Sequence, residues 1–187
     1  MNIIKRNMMF YSLILASSVN GGIGYDGGMA WNIKDETELF KKITSDVNCY
    51  FKKNAVIMGR NTWNSLPYKP LKNRVNIVLS SNKIGFDKYG DDVKIFNKFD
   101  DALEFCEDNI YIDKVFVIGG KSLYDLCLNN DKYFKKINKI YLSVVYKNYI
   151  CDTFINLKEL LRKNKNYDIN TVIFKKEFIH LHLTVNE

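Results

Sequence analysis

The sequence has little of what marks secreted, metal-binding or membrane-spanning proteins. Its 187 residues include four cysteines, which are scattered along the chain without a Cys-x-x-Cys pair. This distribution argues against a disulfide framework or a zinc site, and it favours free thiols in a reducing compartment. No apolar run reaches the roughly 18 residues of a membrane span, and only two prolines interrupt the chain. We therefore expect a cytoplasmic protein with neither a bound metal nor a membrane anchor.

The N-terminus, "MNIIKRNMMFYSLILASS", has two basic residues followed by an apolar run. A signal peptide shows the same order of basic and apolar residues. The run is rich in β-forming residues, however, and it continues into a glycine loop without an obvious cleavage site. These features favour a first buried strand over a signal peptide.

The composition is that of one globular domain, because 47% of the residues are hydrophobic and 14% are aromatic. The formal net charge is +7, from 28 lysines and arginines against 21 aspartates and glutamates. The basic residues are spread along the chain, which favours a role in solubility. Attraction for an anionic ligand or for nucleic acid stays open, since charge alone does not separate these alternatives.

Short apolar runs alternate with helix-like segments along most of the chain. The apolar runs predict strands at residues 9–16, 55–59, 74–80, 93–96, 114–120 and 139–145. The segments between them predict helices at residues 35–47, 60–65, 99–107 and 120–128. Two β-like runs near the C-terminus, "TVIFKKEF" and "IHLHLTV", indicate an antiparallel pair. The pattern predicts a single α/β domain over residues 1–187, with a mostly parallel central sheet, a C-terminal antiparallel hairpin and helices on both faces.

Two predicted strands are each followed by glycine and then by a predicted helix, in "AVIMGRNTW" and "VFVIGGKSLYDL". The free N–H groups and the dipole of a helix N-terminus favour a phosphate group. In open α/β sheets ligands bind at this edge. A purely structural glycine is a common alternative at each place. The presence of two such sites, with Arg60 and Lys121 at the helix starts, favours a cofactor that contains a diphosphate.

A third glycine cluster, "NGGIGYDGGMAW", follows the first predicted strand and leads to Trp31 rather than directly into a helix. Its composition predicts a mobile loop. One interpretation is a long surface turn, and the other is a lid over a site at the end of the strand.

The stretch "WNIKDETELFKKIT" contains three carboxylates just after a tryptophan. If this segment is helical, residues three and four positions apart share a face. Glu36 then aligns with the apolar Phe40 and Ile43, whereas Asp35 and Glu38 face mixed or charged surfaces. A carboxylate on the apolar side must be paired or used, and burial would raise its pKa toward the range useful for proton transfer. The alternative is that Glu36 only stabilises the helix dipole.

Six motifs, in order from about Met9 to Val185, resemble those of dihydrofolate reductase. "GIGYDGGMAW" is similar to the flexible active-site loop of that family, and "W-x4-[DE]" followed by "FKKIT" is similar to its catalytic-acid helix. "VIMGRNTWNSLP" and "VFVIGGKSLY" resemble the two cofactor motifs. "PLKNRVNIVLS" resembles the segment that carries the arginine for the folate tail, and "CDTF" resembles the strand whose threonine lies behind the acid.

The resemblance implies that the protein reduces 7,8-dihydrofolate to 5,6,7,8-tetrahydrofolate by hydride transfer from NADPH. Glu36 would assist protonation of the substrate, Thr153 would hydrogen-bond Glu36, and Trp31 would complete the catalytic set. Arg74 would pair with the α-carboxylate of the glutamate tail, which suits the geometry of a guanidinium group. The other expected substrate-binding residues are Ile14, Leu15, Ala16, Phe40, Leu71, Ile118 and Tyr124.

The same resemblance implies NADPH as the cofactor and no metal. Arg60, Ser80 and Ser81 would surround the 2′-phosphate of the adenosine, and the Gly119–Gly120 peptide would be cis. The expected cofactor-binding residues are Ala16, Ile23, Gly24, Gly59, Arg60, Asn61, Thr62, Leu79, Ser80, Ser81, Gly119, Gly120, Lys121, Ser122 and Leu123.

Several positions depart from the pattern of that family. Ala30 stands where Pro usually precedes the Trp, and Thr37 follows the acid where an apolar or aromatic residue is usual. Asn64 replaces a commonly apolar residue of the pocket. Ser81 stands where a basic residue often lies, although Lys83 is close in sequence.

Residues 1–7 are expected to form an N-terminal extension, and no thymidylate synthase segment accompanies the reductase motifs. The unfused form implies a monomer that binds dihydrofolate and NADPH, without a nucleic-acid or membrane partner. Two alternatives stay open. One is the reductase of riboflavin biosynthesis, which has the same fold and cofactor. The other is a basic nucleic-acid-binding protein on a reductase scaffold, although the lysines form no clustered stripe.

Overall fold

The structure, a computed structural model, describes residues 9–82, 84–162 and 167–186. The expected N-terminal extension and Lys83 lie outside the described residues. The strands are β1 (Tyr11–Ser18), β2 (Gly22–Gly24), β3 (Lys53–Gly59), β4 (Arg74–Leu79), β5 (Val93–Phe96), β6 (Ile112–Val117), β7 (Ile137–Val145), β8 (Thr153–Phe154), β9 (Tyr167–Phe174) and β10 (Phe178–Val185). The helices are α1 (Lys34–Ser45), α2 (Arg60–Ser65), α3 (Phe99–Asp108), α4 (Lys121–Asn129), α5 (Asp131–Phe134) and α6 (Leu157–Arg162), with 3₁₀ turns at Asp87–Asp92.

Eight strands form one sheet in the order β5-β4-β3-β6-β1-β7-β10-β9. In that order, the first six strands, β5-β4-β3-β6-β1-β7, pair in parallel, and β10 pairs antiparallel with both β7 and β9. The predicted α/β class, the mostly parallel sheet and the C-terminal antiparallel pair are therefore confirmed. The short strands β2 and β8 pair with each other outside this sheet.

Helices cover both faces of the sheet, as the sequence predicts. One face packs against α3 and α4 through a cluster that includes Leu13, Leu103 and Leu123. The other face packs against α1 and α2 through a second cluster that includes Val56 and Trp63. Because side chains alternate along a strand, each buried strand supplies both clusters and reads as a continuous apolar run.

Most predicted boundaries are close to the observed ones. The run "TVIFKKEF" is displaced most, because β9 is Tyr167–Phe174 and residues 175–177 connect it to β10. The helices α5 and α6 and the strand β2 are absent from the prediction, and β8 is expected only from the resemblance of "CDTF" to a strand of the family. The predicted strand 114–120 begins two residues earlier and ends at Val117, although the N–H of Ile118 still donates to the carbonyl of Ile57 over 2.9 Å. In the part of the chain that is described, no helix is long and apolar enough to cross a membrane.

Candidate active site

Glu36 lies in the first turn of α1 and is partly buried. Its acidic neighbours are exposed and engaged at the surface. Asp35 pairs with Lys175, with 3.4 Å between Oδ2 and Nζ. Glu38 pairs with Lys34 across one helical turn at 3.7 Å. The predicted orientation of α1 is thus confirmed, because Glu36 is partly buried whereas Asp35 and Glu38 are exposed.

The pKa of the Glu36 carboxyl group is raised from its ordinary value, first because burial removes water from the charged form. The nearby Ser143 side chain, on β7, favours the ionised form and lowers the pKa by a smaller amount. The balance favours a carboxyl group that takes up a proton at a higher pH than an exposed glutamate does.

The expectation that Thr153 holds the hydroxyl partner of Glu36 is wrong. Thr153 Oγ1 donates to Asp152 Oδ1 over 2.8 Å, and Thr153 lines a separate cleft described below. The reason is topological, since Thr153 belongs to β8, which pairs with β2 outside the main sheet. Ser143 belongs to β7 beside β1, on the side of the sheet that α1 covers. The sequence carried a signal for Ser143, because it is the one serine or threonine in the apolar run "IYLSVV".

Four apolar residues expected around the substrate lie together on the α1 side of the sheet. Ile14 and Ile118 are buried there, and Phe40 and Leu71 are partly buried against them. Leu15 does not join them, because its side chain packs in the cluster on the opposite face. The expectation of a Leu15 side chain in the pocket is therefore wrong. Neighbouring residues of a strand point to opposite faces, so Ile14 and Leu15 cannot both face α1.

Trp31 closes the end of this region beside α1. Trp31 is 8% exposed, and its ring lies 5.5 Å from the ring of Tyr149, centroid to centroid. Ala16 and Phe178 belong to the same small apolar cluster. Among the described residues the buried indole Nε1 has no hydrogen-bond partner. An indole N–H usually finds a partner when it is buried, so Trp31 supplies a hydrogen-bond donor at this side of the site.

Arg74 lies at the start of β4 and is 8% exposed. Its Nε donates to the carbonyl of Lys72 over 3.1 Å, and its Nη1 donates to Thr44 Oγ1 over 2.7 Å. The guanidinium carbon lies 5.9 Å from the ring centroid of Phe40. No carboxylate of the described residues pairs with it. Burial lowers the pKa of the guanidinium group, yet arginine stays charged at neutral pH.

Tyr124, on α4, lies at the junction between the Glu36 region and the nucleotide side. Its hydroxyl donates to the carbonyl of Ile14 in β1 over 2.7 Å, so the hydroxyl proton already takes part in a hydrogen bond. Burial and the nearby Glu36 carboxylate raise the pKa of Tyr124 well above its usual value. Tyr124 also packs against Gly119, where an added Cβ would lie 2.9 Å from the ring. The Gly119–Gly120 peptide is cis, as the resemblance implies.

A cleft of about 720 Å³ lies at the carboxyl ends of β1 and β3 and at the start of α4. Most of the residues expected to bind the cofactor line it. These residues are Ala16, Ile23, Gly24, Gly59, Arg60, Asn61, Thr62, Leu79, Gly120, Lys121, Ser122 and Leu123. The lining does not include the described residues Ser80, Ser81 and Gly119. The prediction did not name other residues of the lining, namely Tyr25, Gly27, Gly28, Met29, Ser65 and Leu126, and it assigned Thr153 to a different role.

Arg60 begins α2 at one end of this cleft, and its guanidinium group is braced by the following loop. Nη1 donates to the carbonyl of Asn82 over 2.6 Å, and Nη2 donates to the carbonyl of Ile84 over 3.0 Å. Ser80 Oγ lies 3.4 Å from Nη1, so these two predicted residues come together. The guanidinium carbon also lies 5.0 Å from the ring centroid of Phe86. The side of the cleft beyond β4 is therefore lined by a fixed cation.

The glycine loop after β1 forms a small ordered hairpin rather than an irregular turn. Tyr25 and Gly28 exchange two backbone hydrogen bonds of 3.0 Å. The N–H of Asp26 donates to Asp152 Oδ2 over 2.8 Å, which ties the hairpin to the segment before β8. Tyr25, Gly28 and Met29 line the cleft, in agreement with the position expected of a lid. Its mobility stays a prediction.

Two of the unusual residues each make a hydrogen bond near one end of a helix, Thr37 through its side chain and Asn64 through its backbone. Thr37 Oγ1 donates to the carbonyl of Ile33 over 3.2 Å at the start of α1. The backbone carbonyl of Asn64 accepts a hydrogen bond of 2.7 Å from Lys69 Nζ at the end of α2. Both side chains are exposed at the edge of the apolar region.

The chain matches the family model described as dihydrofolate reductase over residues 10–172. The chain belongs to the dihydrofolate reductase family. It is 39% identical over 146 residues to the dihydrofolate reductase of Heliothis virescens, covering 76% of this chain and 77% of that protein. It is 32% identical over 183 residues to that of Pneumocystis carinii, covering 88% and 86%, and 38% identical over 148 residues to that of Schistosoma mansoni, covering 78% and 77%.

Membership of this family establishes an oxidoreductase that reduces dihydrofolate with NADPH, as the motifs imply. The comparisons support dihydrofolate reduction over the two alternatives that the sequence left open, a riboflavin-pathway reductase and a nucleic-acid-binding protein. Within the described part of the chain, no group of three or more metal-ligating side chains is present.

Proposed function

We propose that Glu36 is the carboxyl group that binds and helps to protonate dihydrofolate in this reductase. The observation that carries this proposal is its position: it is partly buried on α1, one turn before Phe40, and lies near Tyr124, which lines the nucleotide cleft. Its pKa is raised by burial, so the carboxyl group takes up a proton at a higher pH than an exposed glutamate does. The carboxylate would accept hydrogen bonds from the 2-amino group and the adjacent ring nitrogen of the pterin.

The substrate would lie with its pterin ring at Glu36 and its tail directed toward Arg74. Phe40 lies on α1 one turn after Glu36, and its ring faces the guanidinium group of Arg74 on β4. Arg74 is held by neutral oxygen atoms, so its charge remains available for a carboxylate of the glutamate tail. The apolar residues Leu71 and Ile118 would contact the rings and exclude water from them.

NADPH fits the second cleft by volume and by chemistry. A volume of about 720 Å³ is in the range of cofactor sites. The N-terminus of the nine-residue α4 lines this cleft and favours a phosphate group. Arg60 and Ser80 would hold the 2′-phosphate of the adenosine, and Thr62 and Gly120 would contact the diphosphate. When bound, NADPH supplies the hydride; Tyr124 and Ala16 would set the limits of the nicotinamide position.

We also propose that the reductase acts as a monomer in the cytosol, without nucleic-acid or membrane partners. All four cysteines, Cys49, Cys106, Cys127 and Cys151, are free thiols, which supports a reducing compartment. Sedimentation velocity of the purified full chain tests the oligomeric state, and cell imaging of a tagged chain tests the compartment. A stable dimer or an organelle signal would overturn the respective part.

The proposed roles are tested by binding and turnover together. NADPH oxidation is followed by absorbance with dihydrofolate as the substrate, for the wild type and for Glu36→Gln, with Glu38→Gln as the control on the exposed side of the same helix. We expect turnover by the wild type and the control and a severe loss in Glu36→Gln. Equal activity of all three would exclude Glu36 from the chemistry.

A further inference from the structure

A line of buried polar groups continues from Glu36 through the sheet into β10. Ser143, whose side chain lies close enough to Glu36 to lower the pKa of its carboxyl group, is directly opposite His180 in the antiparallel β7–β10 pair. Ser143 Oγ and His180 Nδ1 are 2.8 Å apart. Ser143 is 2% exposed and His180 is 1% exposed. The sheet register therefore fixes a histidine ring behind the hydroxyl that contacts the proposed catalytic carboxyl group.

A count of hydrogen atoms decides how these three groups bond. An ionised carboxylate only accepts hydrogen bonds, and a serine hydroxyl has one proton to donate. If Ser143 donates that proton to ionised Glu36, it has only lone pairs left for His180. His180 must then carry its hydrogen on Nδ1 and donate it to Ser143 Oγ. If Glu36 is protonated, its own O–H can instead donate to Ser143 Oγ, which frees Ser143 to donate to an unprotonated Nδ1.

The other ring nitrogen of His180 supports the first arrangement. Among the described residues His180 Nε2 is buried and has no hydrogen-bond partner. A buried N–H without a partner is rarer in proteins than an under-satisfied acceptor, so Nε2 is better left unprotonated. Burial and the nearby His182 lower the pKa of His180 to about 4, which keeps the ring neutral near neutral pH. A neutral ring with a bare Nε2 carries its hydrogen on Nδ1.

We propose that His180 is a positioning residue, whose Nδ1–H orients the Ser143 hydroxyl so that it donates to the ionised carboxylate of Glu36. This hydrogen bond stabilises the ionised form of Glu36, and it opposes the desolvation that favours the protonated form. His180 therefore adjusts the pH at which the carboxyl group exchanges its proton. It can have this role only if Glu36 is the proton-handling group of the proposed function.

The charged and titratable groups around His180 do not supply this effect themselves. His182 lies on the same strand, with 5.0 Å between ring centroids, and Tyr141 of β7 stacks on His180 at 6.4 Å. The residue opposite His180 on β9 is the uncharged Ile173. Beyond His182 and Tyr141 lies a cavity of about 590 Å³, whose charged lining residues are Lys42, Asp46, Asp113, Lys114 and Lys139. Since neutral His180 adds no charge, its influence on Glu36 passes through the Ser143 hydroxyl.

The first test reads the tautomer directly in the unaltered protein. ¹⁵N NMR of the histidine rings of the full chain, without ligand and near neutral pH, distinguishes a hydrogen on Nδ1 from one on Nε2. The signals of His180 are assigned by their loss in His180→Asn. We expect a neutral ring with its hydrogen on Nδ1. A neutral ring with its hydrogen on Nε2 would overturn the proposal.

The second test measures the titration of Glu36 by ¹³C NMR of labelled glutamate carboxyl groups, assigned by their loss in Glu36→Gln. His180→Phe keeps the ring shape but removes the donor, and it should raise the midpoint of Glu36 by about 0.5 to 1 pH unit. His180→Asn places an amide N–H near the position of Nδ1 and should keep the wild-type midpoint. His182→Phe, which changes the neighbouring ring on the same strand, should also keep it.

Three results would contradict the proposal. One is a folded His180→Phe protein with the wild-type midpoint. Another is an equal shift in His180→Phe, His180→Asn and His182→Phe, which would indicate altered packing. The third is a full shift from His180→Phe in a Ser143→Ala background, where the hydroxyl is absent. None of these readouts requires turnover, so failure of the catalytic role of Glu36 remains distinguishable through the rate of Glu36→Gln.

Discussion

Arg74 Nη1 donates a hydrogen bond of 2.7 Å to Thr44 Oγ1, so a buried guanidinium group on β4 is fixed by a neutral hydroxyl on α1. The Thr44 hydroxyl itself donates to the carbonyl of Phe40 over 2.7 Å, which ties the arrangement to the helix that carries Glu36. Neutral partners hold the orientation of Arg74 without neutralising its charge. The charge of Arg74 therefore remains available to bind an anionic group of the substrate.

We expect Arg74→Leu to weaken the binding of dihydrofolate but not that of a pterin substrate without the glutamate tail. Removing one partner of a buried charge pair costs roughly 2–5 kcal/mol. The measurement is the Kd of both substrates by fluorescence titration. Thr44→Val is the matched control for orientation: it keeps the charge, loses the hydroxyl and should cause a smaller loss. Equal weakening of both substrates by Arg74→Leu would make Arg74 a structural residue.

Arg60 should determine the preference for NADPH over NADH. Its guanidinium group lies beside Ser80 at the end of the cleft, where it would complement a 2′-phosphate. Arg60→Ala should raise the KM for NADPH on the order of tenfold or more, with a smaller effect on NADH. Arg60→Lys keeps the charge but loses the fork that reaches the carbonyls of Asn82 and Ile84, and it should have an intermediate effect. Proportional increases for both cofactors would show that Arg60 only supports the loop.

Gly119 should tolerate no side chain, for two reasons that a matched pair of variants can separate. Its φ is +101°, and an added Cβ would lie 2.9 to 3.0 Å from the ring of Tyr124. Gly27 also has a positive φ, +73°, but an added Cβ would meet nothing within 4 Å. Gly27→Ala should cost about 1 kcal/mol of unfolding free energy from the backbone alone.

Gly119→Ala should cost clearly more, because it adds a steric clash with Tyr124 to the same backbone penalty. Urea denaturation of both variants measures the two free energies. The clash should also displace the Tyr124 hydroxyl from the carbonyl of Ile14, so NADPH affinity should fall with stability. Equal costs for the two variants would mean that the Tyr124 ring moves aside freely.

The features predicted well from the sequence are those with long periodic patterns. The alternation of apolar runs and helical segments predicts the parallel sheet, and the 3.6-residue period of α1 singles out Glu36 among three carboxylates. The short strands β2 and β8 have no comparable signal, because two or three residues cannot show a period. The helices α5 and α6, of four and six residues, are missed for the same reason.

The two site predictions that are wrong concern which side chain faces which partner. The wrong assignment of Leu15 to the substrate pocket arises because consecutive residues of β1 are assigned to the same face. Side chains in fact alternate between the two faces along a strand. The wrong assignment of Thr153 as the partner of Glu36 comes from a sequence motif, and that motif does not show which hydroxyl lies under α1. Ser143 and His180 contact each other because β7 and β10 pair in one register. Pairing between distant strands is set by the whole sheet, so a local motif could not predict it.

The central claim is that Glu36 alone of the three carboxylates takes part in the chemistry. Glu36→Gln keeps the shape and hydrogen-bonding capacity of the side chain but removes its ionisable group. Asp35→Asn and Glu38→Gln change residues whose ion pairs lie in solvent, where each contributes little. Each of these two changes keeps the size of the side chain and removes one charge near Glu36, so the two variants are matched controls.

The decisive measurement is the single-turnover rate of hydride transfer as a function of pH for these three variants. Because burial raises the pKa of Glu36, the wild-type rate should fall as pH rises through that value. Glu36→Gln should slow the step by roughly 10²–10⁴-fold at neutral pH, with a smaller loss at low pH, where solvent protonates the substrate. Asp35→Asn and Glu38→Gln should retain the wild-type rate and pH profile. A normal rate for Glu36→Gln at neutral pH, or an inactive Asp35→Asn, would contradict the assignment.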